Sequence, residues 1–143
     1  MMKTICVYLI FLLSFINVMI ASQVIKNETY TLQVKFSNIK KTGKPVYMAI
    51  YRSKEDFDKR KAYKRFVVLP SKQTTLKIDK LSAGNYAILA YQDINGNHRL
   101  DFSGYMPVEP WGASNNKILS GPPAWKDIVF ELNHNLGLEI KLF

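Results

Sequence analysis

The chain has 143 residues, room for one domain of ordinary size. Its 20 Lys and Arg outnumber its 11 Asp and Glu, a basic balance that favours contact with anionic surfaces. Its one cysteine, Cys6, lies in an apolar leader, which excludes disulfides, thiol nucleophiles and thiolate metal sites from the rest of the chain.

Residues 1–22 have the layout of a secretory signal. Lys3 gives a positive start, an apolar run spans Ile5 to Ile20, and small residues come after it at Ala21 and Ser22. Ser14 and Asn17 interrupt the run, and it is short for a membrane span. A cleaved signal is expected, with an uncleaved anchor as the alternative. Cleavage would leave residues 23–143 as a single domain, with no transmembrane segment and enough chain for one core without covalent staples.

The segment "TYTLQVKF" alternates, with Tyr30, Leu32, Val34 and Phe36 on one side, and predicts a half-buried strand. "NIKKTGKP" reads as a loop, and "VYMAIY" (Val46 to Tyr51) as a central strand apolar on both faces. Ser53 is placed to cap a short helix, with Glu55 and Asp56 in its first turn, basic residues after it and Phe57 as its inward anchor. "RFVVL" and "TTLKIDKL" are further strands, the latter set by Leu76, Ile78 and Leu81; "YAILAY" is another run apolar on both faces. A long irregular stretch rich in Gly, Pro, Asn and Ser runs from Asp93 to about Pro123. "DIVFEL" and "LGLEIKLF" close the chain, joined by the polar turn "NHN". About seven strands, one short helix and one long loop predict an all-β fold, an antiparallel Greek-key sandwich.

The stretch "DINGNHRLD" opens the long loop. Asp93, Asn95 and Asn97 occupy the first, third and fifth places, where short calcium loops put oxygen ligands. The Arg99 carbonyl fits the seventh place and Asp101 the ninth; Glu109 is the nearest later acid. The set is incomplete, because His98 stands sixth where such loops want Gly, and Gly104 stands twelfth where they want Glu. Asp and Asn also bond nearby backbone amides, so a self-bonded loop without metal is the competing reading. One imidazole and no thiolate disfavour zinc and copper.

Several segments together carry a family resemblance. Gly84, Tyr86 and Ala87 lead into Asp93, Asn95, Asn97 and Asp101; Pro107, Glu109, Trp111, Gly112, Ser114 and Asn115 come next, then Pro122, Pro123 and Trp125. This order resembles the bacterial family called domain of unknown function 2141. The resemblance implies an exported single-domain β-sandwich, similar to transthyretin-like and carboxypeptidase-regulatory-like modules, and leaves the chemistry open.

Few other residues suggest chemistry. His134 stands without an acid–base constellation, and neither Ser103 nor Ser114 lies in a Gly-x-Ser-x-Gly elbow. Trp111, Ser114, Asn115 and Trp125 are candidates for loop or partner contact; the two tryptophans either stack on a sugar or partner or pin the loop to the sandwich. Lys59, Arg60, Lys61, Lys64 and Arg65 form a basic cluster interleaved with Tyr63 and Phe66. In an exported protein that cluster either points to an anionic glycan, envelope polymer or lipid surface, rather than to nucleic acid, or is a solvated helix end. The expected function is an exported, non-catalytic binding or accessory module, periplasmic, envelope-bound or secreted, with calcium as its one conceivable cofactor. The alternatives are an electrostatic binder of anionic envelope material through the basic cluster, and a small glycan hydrolase using Asp93, Asp101 and Glu109.

Overall fold

The computed structural model describes residues 28–70, 74–117 and 121–143. The expected signal, residues 1–22 with Cys6, lies outside them. Among the described residues there are ten strands, and no helix is long and apolar enough to cross a membrane.

Two sheets face each other across one core. The first has the order β10 (Leu136–Lys141), β1 (Thr29–Ser37), β4 (Thr74–Ser82). The second has the order β3 (Lys64–Val68), β2 (Val46–Tyr51), β5 (Gly84–Gln92), β8 (Trp111–Ala113). A further strand, β9 (Val129–Leu132), shares the outer edge of β5 with β8: it pairs with Gly84 to Ala87, and β8 pairs with Leu89 to Tyr91. A separate hairpin, β6 (Phe102–Ser103) with β7 (Met106–Pro107), rises from the long loop. Alternation puts Leu32, Val34 and Phe36 of β1 against Val46, Met48 and Ile50 of β2, every one of them buried. The fold is an all-β sandwich, as the alternating runs predict.

The details depart from a simple antiparallel stack in three places. β1 and β10 pair in parallel, Leu32 opposite Leu136 through Ser37 opposite Lys141. The Asn133–Asn135 link is therefore a crossing between sheets rather than a hairpin turn, anchored where Asn135 Oδ1 accepts the Thr31 N–H at 2.8 Å. An alternating pattern tells which face is buried but not which neighbour a strand takes. In β4, Ile78 and Leu81 are both buried although three apart. Pairing jumps from Leu32–Ile78 to Tyr30–Leu81, and Lys80 takes φ 59°, so a bulge re-phases the strand. Finally, the closing run "DIVFEL" begins as helix: Trp125–Ile128 forms one turn, with the Asp127 carboxylate accepting the Ala124 N–H at 3.3 Å.

The helix expected after Ser53 spans Lys54–Asp58. Ser53 Oγ accepts the Asp56 N–H at 3.1 Å, and Phe57 is buried. It packs on the outer face of the second sheet. There Tyr51, Phe57, Ala87, Ala113 and Ile128 form a second apolar cluster, flanked by Trp125. This small outer core closes one end of that face and leaves the other end to the long loop.

Candidate functional site: a knotted loop over an aromatic groove

The loop begins where β5 ends. Asp93 is 0 % exposed; its Oδ1 accepts the Gly96 N–H at 2.6 Å and its Oδ2 the His98 N–H at 2.9 Å. Asn95 Oδ1 accepts the Asn97 N–H, and Asn97 Oδ1 accepts the Arg99 N–H. The amide nitrogens of Asn95 and Asn97 then converge on one oxygen, Asp101 Oδ2, at 2.7 and 2.6 Å. The Asn95 amide, then the Asn97 amide and the Arg99 guanidinium, hold the Asp101 carboxyl below the usual range against a smaller opposing effect of burial. Glu109, also buried, closes the circuit: Oε1 accepts the Ile94 N–H at 2.7 Å and Oε2 the Asp101 N–H at 3.4 Å.

Most of the residues expected to hold calcium are thus gathered into one knot, with their oxygens turned largely to backbone amides. His98 takes φ 64°, the left-handed turn for which calcium loops use glycine at this place. The Arg99 guanidinium places Nε 3.4 Å from Asp101 Oδ1. Among the described residues no three His, Cys, Asp or Glu side chains are grouped as a metal site.

The knot carries the β6–β7 hairpin over the outer face of the second sheet. Alternation that sends Val46, Met48 and Ile50 into the core sends Tyr47, Ala49 and Tyr51 outward. Across the strands, Val67, Tyr47, Tyr91 and Trp111 make one row and Arg65, Ala49, Leu89 and Ala113 the next. Alanine at the middle of the second row leaves a depression beside the stacked rings of Tyr47 and Tyr91, whose centroids are 5.2 Å apart. Phe102, Tyr105 and Met106 of the hairpin overhang it, and Gly121 to Pro123 close a side. The result is an apolar groove of about 510 Å³, within the range of small-molecule sites.

Groove and knot touch through His98. Its Nδ1 bonds the Tyr47 hydroxyl and lies 3.8 Å from Asp93 Oδ2. Tyr91, at the back of the groove, has its pKa pushed up to about 12, first by burial and then by the Asp93 carboxylate.

The remaining expected site residues divide. Trp111 lines the groove, and its backbone makes two hydrogen bonds with Phe143, at 3.3 and 2.9 Å, that tie β8 to the end of β10. Ser114 and Asn115 lie behind it as structural locks. Ser114 Oγ accepts the Ile88 N–H at 3.0 Å and donates to the Ile128 carbonyl; Asn115, at φ 69°, donates to the Asp127 and Val129 carbonyls. Trp125 packs on Phe57, ring centroids 6.0 Å apart. The basic cluster is split by its local folds. Lys59 is paired with Glu55 and Lys64 lies over the Tyr63 ring, whereas Arg60 and Arg65 line one end of the groove. Lys61 comes after the helix, its N–H bonded to the Asp56 carbonyl. Tyr47, Tyr91 and Phe102 are groove residues that no sequence motif marks. The one signal for them is that "VYMAIY" and "YAILAY" are apolar on both faces, so their second face needs a cover.

A family match spans residues 34–138: the bacterial family described as "Uncharacterized protein conserved in bacteria", domain of unknown function 2141. The match covers more than half of the chain, and the chain belongs to that family. No curated protein and no solved structure matches it.

Proposed function

We propose that this member of the domain of unknown function 2141 family is an exported, non-catalytic module that holds a small apolar-bodied ligand in the aromatic groove. One observation carries the reading. A groove of about 510 Å³ runs over Ala49 and Leu89 between Tyr47, Tyr91 and Trp111 on one side and the overhanging Phe102, Tyr105 and Met106 on the other. Ligand sites have this character, largely apolar and aromatic with a few polar groups. The non-catalytic part is supported by how the loop carboxylates are used, since Asp93 and Glu109 spend their oxygens on loop amides. Export rests on the signal-like pattern of residues 1–22.

The test is fluorescence titration with the neutral probe N-phenylnaphthylamine. Saturable one-to-one uptake is expected, lost in Ala49→Phe with the melting temperature retained. Uptake that is non-saturable, or indifferent to Ala49→Phe, would remove the groove from the account.

A second proposed role is weak calcium binding by the knot. It is favoured by the left-handed His98 at the sixth place and by the convergence of Asn95, Asn97 and Asp101. Turning the two amides to present Oδ1 would supply oxygens, with a dissociation constant of about 10⁻⁴ to 10⁻³ M as in extracellular modules. Calorimetry should then show heat and a raised melting temperature in millimolar calcium; the absence of both would end the proposal.

A further inference from the structure

The groove is apolar along its length but not at both ends. Arg65 continues the row Ala49–Leu89, so a guanidinium stands where the depression runs out at strand β3. Arg60 joins it: the Arg60 carbonyl accepts Arg65 Nη2 at 3.3 Å, and the Arg60 guanidinium lies 5.5 Å from the Phe57 ring centre. Neither arginine has a carboxylate partner among the described residues. No Asp or Glu lines the groove among the described residues either. Two guanidiniums with no carboxylate partner at the end of an apolar trough are complementary to one anionic head group.

The walls indicate the character of the remainder of the ligand. Val67 on one rim is 61 % exposed, and Tyr105 and Met106 on the other are 91 and 60 % exposed. Large side chains left this bare on both rims would be covered by an apolar tail lying between them. From Arg65 on β3 to Trp111 on β8 is three strand steps, roughly 14 Å at ordinary strand spacing. That length suits an extended chain of medium length better than a compact ring.

We propose that the groove binds a monomeric amphiphile carrying one anionic head on an unbranched apolar tail. The head lies between Arg60 and Arg65, and the tail runs over Ala49 and Leu89 toward Trp111. This rests on the groove reading above, and the experiment separates the two. Calorimetric titrations of the full chain would compare decanoate, octanoate and decanol. Decanoate should bind one-to-one. Octanoate should be about fifteenfold weaker, since each buried methylene is worth about fourfold. Decanol should be about tenfold weaker, the net worth of one charge-assisted hydrogen bond. Arg60→Gln/Arg65→Gln, both surface changes, should erase the preference for decanoate over decanol while keeping decanol uptake.

Equal binding of decanoate and decanol, or a preference untouched by the double variant, sinks the head-group assignment and leaves the groove reading standing. Failure of both amphiphiles together with N-phenylnaphthylamine sinks both. Adsorption to phosphatidylglycerol vesicles with no uptake of monomeric decanoate overturns the proposal in favour of a membrane surface.

Discussion

Replacing Gly112 by Ala would test how the sandwich is closed at the groove's end. Gly112 sits in β8 where that strand passes the end of β10. A Cβ built there would come closer than 3.0 Å to the Lys141 carbonyl oxygen, with Ile140 Cγ2 at 3.0 Å and the Lys141 carbonyl carbon at 3.1 Å. Two of these three atoms are backbone, so no rotamer change relieves the overlap. β8 must move off β10, weakening the two Trp111–Phe143 hydrogen bonds, each worth about 1 kcal/mol net. Forced overpacking of a tight contact adds about 1–3 kcal/mol. The expected loss is about 3 kcal/mol, or roughly 10 °C in melting temperature for a domain of this size. Urea unfolding should show a lower midpoint with an unchanged slope. Gly137→Ala is the internal control, because nothing lies within 4 Å of the added methyl; it should change stability by no more than about 0.5 kcal/mol. If Gly112→Ala unfolds with the wild type, the close approach of β8 to β10 is not what holds that corner.

Asp93→Ala strands the Gly96 and His98 amides and should cost about 2–3 kcal/mol, read as faster hydrogen exchange at 94–101 before global unfolding. The Asp101 carboxyl is held below its unfolded value, so its contribution is present above about pH 4 and lost as pH falls through the lower folded value. Asp101→Asn should flatten that acid limb of a pH–stability curve, and an unchanged limb would refute the assignment. Tyr91, held at about 12, should stay protonated when ordinary tyrosines ionise. Its stabilising contribution is whole below about pH 10 and declines toward 12, so Tyr91→Phe should remove the late step in ultraviolet tyrosinate titration.

The elements most legible in the sequence were those where one face is wet. β1 alternates because Gln33 and Lys35 meet solvent while Leu32 and Val34 do not, and the Ser53 cap announces its helix. The hidden features depend on distant partners. Nothing local distinguishes a bulge at Lys80, which exists because Leu81 must return to the core face. Nor does local pattern tell that β10 runs beside β1, or that Asp93 and Glu109 are both buried, with Glu109 bonded to the Ile94 amide. The spacing of oxygens in "DINGNHRLD" shows which side chains face the loop, but the donors to Asp93, Asn95 and Asn97 are main-chain groups, which no residue code displays. The basic cluster looked continuous because five cations fall within seven places, but the turn at Arg60, φ 57°, sends its members to different neighbours.

The parallel seam of β1 and β10 has a bearing on how the molecule assembles. Thr31 and Asn135, which meet at its start, are 104 positions apart. Bringing such distant segments together is entropically slow and tends to come late, after nearer pairs such as β2 with β5 have formed. Until then one flank of β1 is an open ladder of amides and carbonyls that a neighbouring molecule could join. Lys35, placed on that strand's wet face, is the sort of charge that discourages such mispairing while the nascent sheet waits for its last partner.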